Sequence, residues 1–227
     1  MNPMRWYRRF SVVVVAAVGI AASSLAQERF DYTVREDMFR AFGGNEAALK
    51  NAMSTIDEKL KEHPDHGEAL VWRGAGRTWM AKQAFDSGDA AGGRAMAAAG
   101  MADMDRAFAL EPNNISVLVP RAAVLLGVAR TQRDDARKRE LAEKAAGNFE
   151  TALALRKPAF DRLGQHNRGE YLASLAESWA LAGNQETAER YLRRILAELP
   201  NSRYAERATA KLANWEDRGP LNCLTCH

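Results

Sequence analysis

Four prolines, Pro64, Pro112, Pro158 and Pro200, lie 48, 46 and 42 residues apart and set what this chain of 227 residues can become. Proline has no amide hydrogen and its ring clashes with the preceding turn, so a helix ends at or before it. Each proline sits in a polar turn: Glu62-His63-Pro64-Asp65, Glu111-Pro112-Asn113-Asn114, Lys157-Pro158 and Leu199-Pro200-Asn201-Ser202. An amphipathic stretch precedes every turn and another follows most of them. Alanine is abundant between the turns and turn residues are sparse, which predicts helix almost throughout. Recurring helix pairs at a fixed rhythm predict an all-α chain of stacked helical hairpins, a solenoid.

The clearest unit spans residues 171–201. Leu172, Leu175, Ala176 and Trp179 share one helical face, Gly183-Asn184 makes a turn, and Ala188, Leu192, Ile195 and Leu196 face back before Pro200. This unit resembles a tetratricopeptide repeat, with Ala176, Gly183 and Ala188 at the small positions and Pro200 at the closing one. The unit ending at Pro112 has Gly74, Gly100 and Ala107 at small positions, with an Ala/Gly-rich insertion expected over 86–93. The unit ending near Pro158 uses Leu118, Ala122 and Leu125, then Leu141, Ala145, Phe149, Ala152 and Leu153, with a polar connection expected over 131–139. The spacing exceeds the usual period of roughly 34 residues, which predicts longer helices or loops. Upstream, residues 35–42 are expected to form a short helix with Met38, Phe39 and Phe42 on one side, and Asn45 to cap a helix running to Lys61. Tyr204, Ala208, Leu212 and Trp215 mark a last helix, capped by Asn201 or Ser202, over the open end of the stack. The resemblance implies a tetratricopeptide-like domain over 45–215, after a lead-in over 27–44.

The N-terminal residues 1–26 carry Arg5, Arg8 and Arg9, an apolar run over 12–22 and then Ser24-Leu25-Ala26. A basic start, an apolar core and a small-x-small end make a secretory signal, expected to be cut after Ala26. The alternative is an uncleaved anchor, although an apolar run of about 11 residues is short for a membrane span. Arg8-Arg9 hints at twin-arginine export, but the C-terminal motif described next favours the general secretory route. The leader holds three arginines and no acid, so from Gln27 onward 29 basic residues balance 29 acidic ones. No global field draws such a chain to nucleic acid or acidic membrane.

The only two cysteines lie in Cys223-Leu224-Thr225-Cys226-His227. C-x-x-C-H is the c-type haem attachment sequence. Two thiols at this spacing add to the two vinyl groups of one haem edge, and the adjacent imidazole ligates the iron. Cys223 and Cys226 are therefore the expected attachment residues and His227 the expected iron ligand, for one covalent haem c. A CxxC disulfide, or half of a zinc site completed by a second chain, remains open. Export supports the haem, since attachment takes place outside the cytoplasm in bacteria.

No methionine follows His227, so a sixth iron ligand is expected from upstream, from another molecule or from water. His63 and His66, beside Pro64, read as solvated loop histidines, and His166 as part of an irregular polar linker over 163–168. Met80, Met96, Met101 and Met104 fall on helical faces and read as core. Arg130, Arg133, Arg137, Lys138 and Arg139, interrupted by Asp134, Asp135 and Glu140, read as a solvated helix start rather than a propionate or acidic-partner site. Residues 216–227 are expected to be a tether and haem-bearing tail. The tether extends to roughly 25 Å at most, which places a shallow haem on the last helix near Trp215, Leu221 and Leu224, with Trp179 and Tyr204 behind and no strong protein sixth ligand.

No catalytic triad, phosphate-cradling loop or H-E-x-x-H is present, and no carboxylate pair singles out acid–base chemistry, so an enzyme is the less expected reading. The expected role is an exported, periplasmic repeat protein that binds protein partners and carries a haem for electron transfer, near the membrane at most. The alternative is a periplasmic interaction scaffold without a redox role, its cysteines joined as a disulfide. Haem-based peroxidase or gas-binding chemistry rests only on the missing sixth ligand.

Overall fold

The structure, a computed structural model, describes residues 29–217 and 219–222. Among the described residues the chain is helical without a strand. The helices are α1 (Asp31–Phe42), α2 (Glu46–Glu62), α3 (Gly67–Asp86), α4 (Ala90–Leu110), α5 (Ile115–Thr131), α6 (Asp135–Arg156), α7 (Gln165–Leu181), α8 (Gln185–Glu198) and α9 (Arg203–Ala213), with a 3-10 segment at Lys157–Arg162. Polar side chains in the turns start most of them by accepting an orphan first-turn amide. Asn45 accepts from the Ala48 N–H, Asp89 from Gly92, Asp134 from Arg137, Asn184 from Thr187 and Ser202 from Ala205.

Helices pair in chain order. α1 packs on α2, α3 on α4, α5 on α6 and α7 on α8, and α9 packs on α8. Between hairpins α2 meets α3 and α6 meets α7, while the odd-numbered helices touch in succession, α1 with α3, then α5, α7 and α9. Apolar burial follows the same order. One cluster joins α1, α2 and α3 with Met104, Ala107 and Val117; the other runs from Leu118 to Leu221 and includes Leu125, Leu141, Leu172, Leu175, Leu192 and Ile195. Met101 packs against both.

Several expected boundaries move. Residues 86–93 hold no insertion: α3 ends at Asp86, a turn follows, and the Ala/Gly-rich stretch begins α4. Its small residues serve contact rather than flexibility. A Cβ on Gly74 would lie 2.7 Å from the Gly100 carbonyl oxygen, and one on Gly100 would lie 2.8 Å from the Gly74 oxygen, so the two backbones touch. Beside this contact Asp103 accepts from Arg73 Nε and Nη2 at 2.8 and 2.7 Å and from Arg77 Nη1 at 2.6 Å, binding α4 to α3. The longer period arises from long helices, with 20 residues in α3, 21 in α4 and 22 in α6. The connection over 131–139 is likewise short, because α6 starts at Asp135. Helix α1 starts at Asp31, earlier than expected. It buries Val34, Met38 and Ala41, leaving Phe39 41% exposed. Trp215 falls past the end of α9, in the turn that follows.

Candidate functional site

Cys223, Cys226 and His227 lie outside the described residues, as do the expected leader over 1–26 and its expected cleavage point at Ala26. The structure does describe the two residues before the motif. Residues 214–217 and 219–222 are tied back by hydrogen bonds rather than held loosely. The Asn214 side chain accepts from the Glu216 N–H, the Asp217 side chain accepts from the Gly219 N–H, and Lys211 Nζ donates to the carbonyls of Trp215 and Asp217 at 2.8 and 2.5 Å. Leu221 is buried in the larger apolar cluster, so it anchors this segment and is not available to cover a haem.

Asn222 is 0% exposed, and every polar group of its side chain is used. Its Nδ2 donates to Ser174 Oγ on α7 at 2.8 Å, and its Oδ1 accepts from Arg130 Nη2 on α5 at 2.7 Å. Arg130 also forks onto Glu177 of α7, at 2.5 and 2.8 Å, and Glu177 Oε2 accepts from the Leu221 N–H at 3.2 Å. From α9, Arg207 Nη1 donates to the Asn222 carbonyl at 3.1 Å. Helices α5, α7 and α9 thus fix the point from which the motif departs. Arg130 is no part of a solvated helix start: it stands in a half-buried ion pair with its partner 47 residues away. The rest of that basic stretch does read as expected, with Arg137 on Glu140 and Lys138 on Asp135 in exposed local pairs.

His166 is not in an irregular linker either. It lies in the first turn of α7, exposed, with Nδ1 2.8 Å from the Tyr204 hydroxyl of α9. The same hydroxyl donates to Glu170 Oε1 at 2.6 Å. A Cβ at Gly169 would fall 2.3 Å from the Tyr204 ring, so glycine is what lets that ring lie against α7. Tyr204 stands one helical turn before Arg207 on α9. Trp179, expected behind the haem, points elsewhere: its Nε1 donates to Glu150 of α6 at 2.9 Å. Glu150 also accepts from the Tyr191 hydroxyl, and burial, with the carboxylate second, pushes that phenol up to about 12.

Of the remaining candidates, His63 is exposed at the end of α2. His66 caps α3, its Nδ1 accepting from the Ala69 N–H at 3.2 Å. It borders an open cleft of about 710 Å³ with Arg29, Phe30, Glu68 and Glu111. Burial, and then Lys59, lower the His66 pKa, while Glu68 and Glu111 oppose the shift. A depressed folded pKa means that the unfolded chain takes up the proton first, so stability is full above the unfolded value near 6.5 and falls as pH drops through the lower folded value. The urea midpoint is therefore expected to decline from pH 7 to pH 5, and His66→Asn, a cap that does not titrate, to flatten that decline. Met104 is fully buried, as expected of core, whereas Met80 and Met96 are partly exposed.

Among the described residues no group of three or more His, Cys, Asp or Glu side chains is placed to hold a metal ion, and no helix is long and apolar enough to cross a membrane. Comparison of the chain with family models, with curated proteins and with solved structures returned no match.

Proposed function

We propose that this chain is an exported, periplasmic protein of tetratricopeptide-like architecture that carries one haem c at its C-terminus and presents it to protein partners for electron transfer. The observation that carries the reading is the coincidence of a secretory leader with C-x-x-C-H formed by the only two cysteines. Cys223 and Cys226 hold the haem through thioether bonds and His227 supplies an axial imidazole. When bound, the haem contributes one-electron transfer at iron.

Two guanidinium groups hold Asn222 where the motif begins: Arg130, whose charge is paired with Glu177, and Arg207, so the motif departs from a fixed point of the fold. The repeat part of the reading is supported by the order of contacts. Hairpins stack on their neighbours, odd helices form one continuous row, α9 covers the end, and Gly74, Gly100, Ala176 and Ala188 are buried small residues. A row of this kind offers an extended surface to proteins, and a chain neutral after its leader has no general attraction to nucleic acid.

Protein expressed in a host competent for haem c maturation is expected to keep its Soret absorbance through denaturing extraction, and Cys223→Ser with Cys226→Ser to lose it. Wild-type protein that releases all its haem, or binds none, sinks the redox reading and leaves a scaffold with a disulfide.

A further inference from the structure

We infer that residues 219–222 are a self-bound peptide: they occupy a site on the odd-numbered helices that also takes partner segments in which a leucine precedes an asparagine. This deepens the partner-binding part of the reading above and is independent of the haem. A helix spends its interior amides and carbonyls on itself, so a helical surface recognises another chain through side chains. Among the described residues, every hydrogen bond that holds Leu221 and Asn222 ends on a side chain of α5, α7 or α9. Glu177 accepts from the Leu221 N–H, and Arg207 donates to the Asn222 carbonyl, so one amide and one carbonyl of the segment's main chain are read. The Asn222 amide donates to Ser174 Oγ and accepts from Arg130, using both halves of one side chain. Ser174 is 1% exposed, so its hydroxyl meets Asn222 in a closed place.

The segment is an addition to the helical stack. Gly219 and Pro220 are exposed, and only Leu221 and Asn222 are buried. The α5–α6 and α7–α8 hairpins and the seat of α9 on α8 are helix–helix contacts apart from it. Leucine fills the apolar seat, and asparagine serves Ser174 and Arg130 together. Alanine in the second place leaves both without that partner. Because the segment is tethered to α9, its effective concentration is on the order of mM, and a free competitor must overcome that. The site is closed to weak ligands and open to partners that bring the same two residues with further contacts along the row.

The test uses the purified full chain and a synthetic, amide-ended peptide with the sequence of residues 214–222. Excess peptide is expected to speed hydrogen exchange at the Leu221 amide of the wild type, and the same peptide with alanine in place of its final asparagine to leave it unchanged. In the full chain carrying Leu221→Ser with Asn222→Ala, whose own segment no longer fits, calorimetry is expected to show the peptide binding at least about tenfold tighter than to wild type. The alanine peptide is expected to bind that variant at least about tenfold more weakly than the native peptide, the worth of two hydrogen bonds. Leu221 exchange unmoved by the native peptide, or moved equally by both, overturns the inference without recourse to the variant. Equal peptide binding by wild type and a variant of unchanged helical content overturns it as well. Either failure leaves partner binding elsewhere along the row standing, and covalent haem is read separately as mass on Cys223 and Cys226.

Discussion

Replacing Glu177 with alanine is expected to free the segment before the C-x-x-C-H motif and to cost about 2 to 3 kcal/mol, somewhat below the roughly 3 to 5 kcal/mol of a fully buried pair. Two groups lose an acceptor in that variant. The Arg130 guanidinium keeps only Asn222, and the Leu221 N–H keeps nothing from Glu177. The pair is not fully enclosed, with side-chain exposures of 19% for Arg130 and 12% for Glu177, so water recovers part of the loss. Glu177→Gln retains one acceptor oxygen, which can serve Leu221, while it removes the charge and one arm of the Arg130 fork, and its effect is expected to be smaller. Urea unfolding measures the stability, and hydrogen exchange at the Leu221 amide measures the release. A Leu221 amide that exchanges equally fast in wild type and in Glu177→Ala shows that the segment is not pinned by this pair.

Gly74→Ala is the second large effect, and its sign is set by space rather than by propensity. In an open helix, glycine to alanine stabilises by about 1 kcal/mol. At Gly74 the added carbon would meet the Met104 side chain at 2.5 Å and the Gly100 carbonyl oxygen at 2.7 Å, and Met104 is fully buried. A backbone atom cannot step aside, so α3 and α4 must separate and the Asp103 ion pairs with them. The expected loss is about 2 to 3 kcal/mol, typical of overpacking. Gly147, on the exposed side of α6 with nothing within 4 Å of its would-be Cβ, is the control. Gly147→Ala is expected to raise the urea midpoint where Gly74→Ala lowers it. Equal effects at the two sites would contradict the close contact between α3 and α4.

The hairpins are legible in the sequence because prolines and polar caps act locally. Asn45, Asn184 and Ser202 announce helix starts within three residues of the amides they bind. The Ala/Gly-rich stretch after Asp86 misleads for a physical reason. Small residues serve a flexible linker and a tight helix contact equally well, and only the partner helix decides between them. Trp215 shares the apolar spacing of α9, yet Asn214 turns the chain first. The bonds that position the C-terminal segment leave no local trace: Asn222 reaches Arg130 across 92 residues and Ser174 across 48. His166 is similar. The sequence around it shows polar residues after a glycine, and only the fold brings Tyr204 from 38 residues away. The motif itself was legible as chemistry, whereas the face from which it departs required the packing of α5, α7 and α9.

The most direct test of the proposed function is the mass of the protein recovered from the periplasm of a bacterium able to mature haem c, measured intact after denaturation and again on the C-terminal peptide. The prediction is a chain starting at Gln27 whose mass exceeds its sequence by one haem, with the added mass on the peptide containing Cys223 and Cys226. A chain without added mass, its two cysteines free or joined to each other, would contradict it.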